Sequence, residues 1–160
     1  MEYKTADPGF DYRLKGGFMS PTTNAQATSA GLLVLRLFLG LGLAAHGAQK
    51  FFVFGIPGFA SHLSQLGAPA PHASAWLSAS TELVGGVLIA VGLFTRLAAI
   101  PLAINMAVAA FLAHSGYFIT NAPPGREYAL NLAAAFVALA LTGAGRYSID
   151  HRLARQTDNS

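Results

Sequence analysis

Eight side chains of this sequence could ionise, hydrogen-bond a ligand or pass a proton while surrounded by apolar neighbours: Arg36, His46, Lys50, Glu82, Asn105, His114, Glu127 and Asn131. A charged group at membrane depth costs at least ~2.5 to 3.5 kcal/mol on insertion scales and therefore faces a partner or a cavity. Arg36 and Glu82 are accordingly expected to form a buried ion pair. Such a pair could fix helix register, relay protons or anchor a substrate. Helical spacing places Arg36, Gly40, Leu43, Gly47 and Lys50 on one stripe, and Glu82 on a face with Ser78, Gly85 and Gly86. Small residues beside a charge let a neighbouring backbone come close.

Four of the five histidines, His46, His62, His72 and His114, fall towards one side of the apolar body. None has the i, i+4 spacing of a helical metal site, so neither metal nor haem is expected. A neutral imidazole near the membrane interface suits hydrogen bonding to a quinone carbonyl better. Phe51, Phe52, Phe54, Trp76, Tyr117, Phe118 and Tyr128 gather at the same level, mostly as an interfacial aromatic belt. Any rings turned inward would wall a flat apolar pocket with a polar end. Glu127 and Asn131 share a helix face with Ala134, Ala135 and Ala138, and that face is expected to look inward. A plainer account of Glu127 is an acid in the first turn, complementing the helix dipole. His46, Lys50, His114, Glu127 and Asn131 thus form the candidate ligand or proton site, with Asn105 as a separate inner polar residue.

The elements that must carry these groups follow from composition. Of 160 residues, 53% are hydrophobic and 11% charged, against roughly 25% charged in an average soluble domain. Residues 31–145 hold only Arg36, Lys50, Glu82, Arg96, Arg126 and Glu127 as charges. The length allows one domain, and the composition excludes disordered, collagenous and coiled-coil classes. With no cysteine, disulfides, iron–sulfur clusters and thiolate chemistry are excluded. Phosphate-binding glycine loops, dinucleotide fingerprints and a Ser-His-Asp arrangement are also missing, so no self-sufficient catalytic machine is legible and whether the chain is an enzyme stays open.

Apolar windows near the twenty residues that cross ~30 Å of hydrocarbon run over about 31–52, 73–94, 97–114 and 127–143. The expected fold is all-α: an integral membrane four-helix bundle over 30–152, after a largely disordered leader at 1–29 and before a tail at 153–160. Breakers separate the spans at Gly55-Ile-Pro-Gly58, Gly67-Ala-Pro-Ala-Pro71, Phe94-Thr-Arg96 and Asn121-Ala-Pro-Pro-Gly125. Basic residues favour the side of Lys4, Arg13, Lys15, Arg96, Arg146, Arg152 and Arg155, which places both termini in the cytoplasm. A net charge of +3 is explained by this topology and calls for no nucleic-acid partner. At 1.5 Å per residue, Arg36, Asn105 and Glu82 lie about 9, 12 and 17 Å from the cytoplasmic edge, and His46 and His114 about 24 and 25 Å.

The series Arg36, His46-Gly47 with Lys50, Glu82-x-x-Gly85-Gly86, Gly92-Leu-Phe-Thr-Arg96, Glu127 and the closing Gly143-Ala-Gly145-Arg-Tyr-Ser148-Ile-Asp150 resembles the DoxX family over about residues 30–152. The resemblance implies a four-helix protein of the bacterial inner membrane, of a family associated in its founding members with the small subunit of a thiosulfate:quinone oxidoreductase. Arg36, Glu82 and Glu127 match recurrent polar positions of that family. The expected role is a membrane subunit of a redox system that interacts with quinone while a soluble or membrane partner oxidises the substrate. Two other classes fit the same residues: a non-enzymatic partner or assembly factor for oxidative-stress proteins, and a proton-coupled or small-molecule transporter acting as a homo-oligomer.

Overall fold

A computed structural model of the chain describes residues 21–114, 116–117 and 125–157, with side chains from residue 24 onward. The described residues form six helices: α1 (Pro21–Phe52), α2 (Gly55–Gln65), α3 (Pro71–Val91), α4 (Thr95–Leu112), α5 (Glu127–Thr142) and α6 (Ile149–Thr157). By length and composition α1, α3 and α4 can each cross a membrane, and α5 is a shorter apolar helix. The protein is an all-α, helical membrane protein. Helices α1, α3, α4 and α5 overlap the four apolar windows, α5 being the shortest of the four.

Differences lie at the ends and in the connections. The leader expected over 1–29 lies outside the described residues up to position 20, and from Pro21 the chain is already helical. Asn121-Ala-Pro-Pro leading to Gly125 also lies outside the described residues. The stretch between α1 and α3, expected to be a loop, contains α2, because Ile56, Ala60 and Leu63 recur at helical spacing and bury against Ala68, Ala75 and Ala79. The tail expected from residue 153 remains helical through Thr157, with Ser148 accepting from the His151 N–H at 3.2 Å as the N-cap of α6.

In hydrocarbon the apolar contrast that drives soluble folding is missing, so close van der Waals packing must hold the helices together. The α1–α3 contact is built for it. A Cβ added at Gly86 would meet the Ala44 nitrogen at 2.5 Å and the Gly40 oxygen at 2.6 Å. Nearer the α2 end, a Cβ on Gly47 would collide with the Leu83 backbone. Backbone therefore lies on backbone, and only glycine permits that separation. These contacts fix an antiparallel register that sets Gly40 beside Gly86 and Ala90, and Gly47 beside Ala79 and Leu83.

The other half of the core pairs α4 with α5. Ala98, Ala99, Leu102 and Met106 of α4 receive Phe136 and Leu139 of α5, with Ile89 and Leu43 closing the cluster from α3 and α1. α4 continues unbroken through Pro101. The outward faces carry Phe38, Leu41, Leu77, Leu97, Ile104, Phe111 and Leu141, as a lipid-facing surface requires. Substituting Gly86 by Val is expected to push α1 from α3 and cost about 1 to 3 kcal/mol, read as a lowered midpoint in thermal or SDS-driven unfolding, whereas the same change at Gly42, where a Cβ meets nothing within 4 Å, leaves the midpoint in place.

Candidate functional site

Glu82, 3% exposed in the middle of α3, is the centre of a side-chain cluster. Its Oε1 lies 2.6 Å from the Lys50 ammonium of α1 and accepts a hydrogen bond from Asn105 Nδ2 of α4 at 2.9 Å. Lys50 also donates to Ser78 Oγ at 3.1 Å. Its ammonium stands 4.6 Å from the centre of the Phe59 ring of α2, a favourable position over the negative ring face. Three helices, α1, α3 and α4, thus meet at one carboxylate, and α2 sets the Phe59 ring against its Lys50 partner. The second oxygen, Oε2, is buried without a hydrogen-bond partner. One oxygen is saturated and the other bare, so the group has an acceptor available to a proton or a water molecule.

Arg36 is not part of this cluster. The expected Arg36–Glu82 pair is replaced by Lys50–Glu82, and the reason is register: the glycine contact sets Arg36 against Gly92, whereas Glu82 is almost three turns away, about 15 Å along the axis. Arg36 is fully buried and donates to two main-chain carbonyls, that of Ile89 at 3.5 Å and that of Tyr147 at 2.5 Å. Asp150 is near enough to interact with it electrostatically. A Cβ on Gly92, which has φ of +72°, would strike the guanidinium. The turn between α3 and α4 is closed by the same segment. Both Asp150 oxygens accept from the N-terminus of α4, Oδ1 from Phe94 N–H at 2.7 Å and Oδ2 from Thr95 N–H at 2.9 Å, and the Asp150 N–H donates to the Gly92 carbonyl at 2.9 Å. Phe94 takes a left-handed φ of +49°, unusual for a residue with a Cβ and held here by the Asp150 bond. Gly92-Leu-Phe-Thr-Arg96 and the segment ending at Asp150, remote in sequence, are therefore two halves of one knot.

The remaining candidates do not assemble into one site. His46 is exposed on α1 and borders an open groove of about 670 Å³ with Gly42, Ala45, Gln49, Phe52 and Val53. His114 follows α4, its Nδ1 2.9 Å from the Ala109 carbonyl, while its own carbonyl accepts from Arg126 Nε at 3.1 Å. Glu127 opens α5, with its N–H on the Tyr117 carbonyl at 3.0 Å. The α5 face expected to look inward is turned outward: Asn131, Ala134 and Ala138 are exposed, and Ala129, Phe136 and Leu139 are buried instead. The small residues of α4 leave room that only the large side chains of α5 can fill. Asp150 and Ser78 complete the two polar centres without having been singled out as site residues. Asp150 stands three residues after Tyr147 in a segment whose helix-breaking glycines concealed that it caps another helix.

Apolar helices of spanning length enclosing a buried charge cluster define a polytopic helical membrane protein. Residues 31–115 match the DoxX family model, and the chain belongs to the DoxX family. It is 31% identical over 135 residues to the uncharacterized membrane protein Rv3486 of Mycobacterium tuberculosis, covering 78% of this chain and 82% of that one. It is 30% identical over 126 residues to the inner membrane protein YphA of Escherichia coli, covering 76% and 89% respectively. An uncharacterized protein of Haemophilus influenzae is 31% identical over 124 residues, with the same coverage as YphA. No solved structure matches the chain.

Removing one partner of a buried pair strands the other charge. Lys50→Met is expected to cost about 3 kcal/mol, and adding Glu82→Met to recover most of the loss, a non-additivity that unfolding midpoints of the two single variants and the double variant measure. Asp150→Ala removes two hydrogen bonds from the α4 N-terminus and is expected to cost about 1 to 2 kcal/mol, with amide exchange accelerated at Phe94 and Thr95.

Proposed function

We propose that this protein is a multi-pass subunit of a bacterial inner-membrane redox system, with both termini in the cytoplasm, that interacts with a quinone and leaves substrate oxidation to a partner protein of thiosulfate:quinone oxidoreductase-like chemistry. The observation that carries this reading is the Lys50–Glu82–Asn105 cluster, whose carboxylate keeps a bare buried oxygen. Ionisable groups at such depth are retained against an insertion cost and mark proton or ligand paths. The orientation is supported by Arg96, Arg146, Arg152 and Arg155 gathering at the Arg36 end of the bundle, against Arg126 and the half-buried Lys50 towards the other. The inner-membrane assignment is supported by the name of the Escherichia coli relative.

The open groove along α1 supports this reading by the residues that line it. His46 and Gln49 supply polar atoms for the carbonyl oxygens of a quinone, and Phe52 with Val53 supplies an apolar wall. A bound quinone would supply acceptance of two electrons and two protons. His46 would offer a ring nitrogen to one carbonyl oxygen of that group. Lys50, one helical turn further along α1, holds its charge against Glu82, and Glu82 holds or releases a proton at Oε2. A purely structural reading, in which the cluster only locks the bundle, draws on its tying of α1, α3 and α4.

Protein released from native-lipid nanodiscs into a mass spectrometer discriminates the two. Quinone retained above lipid background, and reduced about five- to tenfold by His46→Ala with unfolding unchanged, is expected. Glu82→Gln should keep the quinone and slow partner-dependent quinone reduction. A protein carrying phospholipid alone, or unaltered turnover in Glu82→Gln, would leave the structural reading.

A further inference from the structure

At the Arg36 end of the bundle, α4, α5 and the start of α6 border a cavity of about 550 Å³ whose walls include Thr95, Arg96, Arg146 and His151. A smaller cavity of about 260 Å³ lies beside it, lined by Gln26, Arg155 and again Arg146 and His151. Neither Arg96 nor Arg146 has a hydrogen-bond or ion-pair partner among the described residues. Arg96 is directed across the end of α5, with its Nε 3.1 Å from where a Cβ on Gly143 would sit. The one acid in the larger wall, Asp150, already has both oxygens on α4 amides and Arg36 nearby. The walls therefore carry uncompensated positive charge.

Two further features specify what would neutralise it. Thr95 is fully buried, yet its hydroxyl has no partner, and it lines the same cavity. At the cavity's rim Phe94 and Leu97 are 59% and 69% exposed, and Leu97 begins the lipid-facing row that continues through Ile100 and Ile104. The ligand must be anionic at one end and hydrocarbon immediately next to it. A soluble anion would leave the apolar rim uncovered.

We propose that this cavity is a binding site for an anionic phospholipid, with the phosphate on Arg96 and Arg146 and an acyl chain along Leu97 and Ile100. Guanidinium groups meet phosphate oxygens through paired hydrogen bonds, and basic pockets between helix ends hold anionic headgroups in this way. The site is distinct from the Lys50–Glu82 cluster and independent of any quinone.

The test uses the full chain, purified and exposed to equal amounts of phosphatidylglycerol and phosphatidylcholine of identical acyl chains, with retained lipid read by native mass spectrometry. Phosphatidylglycerol is expected to be retained about tenfold over phosphatidylcholine. Arg96→Gln with Arg146→Gln should abolish the preference, each single change lowering it about threefold, whereas Arg126→Gln at the opposite end leaves it intact. The single variants carry the test should the double variant fail to fold. Equal retention of the two lipids, or a preference untouched in the Arg96 and Arg146 variants, would overturn the proposal. So would displacement of the lipid by millimolar inorganic phosphate, which would make the site one for a soluble anion.

Discussion

A fully buried arginine in α1, answered by main-chain oxygens rather than by an acid, is the constraint around which the bundle is arranged. The guanidinium cannot be left in hydrocarbon without acceptors, so the C-terminus of α3 and the segment after α5 must both approach it. Gly92 makes the approach possible, since any side chain there would occupy the guanidinium's place. Asp150 then sits where it can cap α4, and one short segment secures α1, α3 and α4 together.

The molecule thus separates its two cationic residues of α1 by chemistry as well as by height. Arg36 donates from its two terminal nitrogens to fixed carbonyls in a tightly packed knot, while its Nε is buried without a partner. Lys50 is satisfied by side chains that can themselves ionise or rotate, beneath the Phe59 ring of a short helix. Of the two centres only the second has a protonatable group with an oxygen to spare. That asymmetry is why the functional reading rests on Glu82 and not on Arg36.

Hydropathy made the helices legible, since the four apolar windows overlap α1, α3, α4 and α5. The short Phe94-Thr-Arg96 connection likewise marked the α3–α4 hairpin. Pairing is not legible in the sequence, because the apolar run starts about ten residues after Pro21, where α1 begins, and the register of α1 with α3 is set by Gly40 and Gly86. A carbonyl acceptor has no residue type, so nothing in the composition near Ile89 or Tyr147 announces that either serves Arg36. The outward turn of Asn131 has a similar origin. A stripe of alanines is compatible with either side of a helix, and the decision fell to Phe136 and Leu139 filling the space left by Ala98 and Ala99.

The separation in sequence between Arg36 and its acceptors also imposes an order on biogenesis. Tyr147 follows Arg36 by 111 positions, which at synthesis rates of about 5 to 20 residues per second corresponds to roughly 6 to 22 s of translation. Through that interval, of the two carbonyls that accept from Arg36 only that of Ile89 has been made. The buried charge therefore gains its second acceptor only when the segment after α5 has emerged, so the knot is among the last parts of the bundle that the growing chain can close.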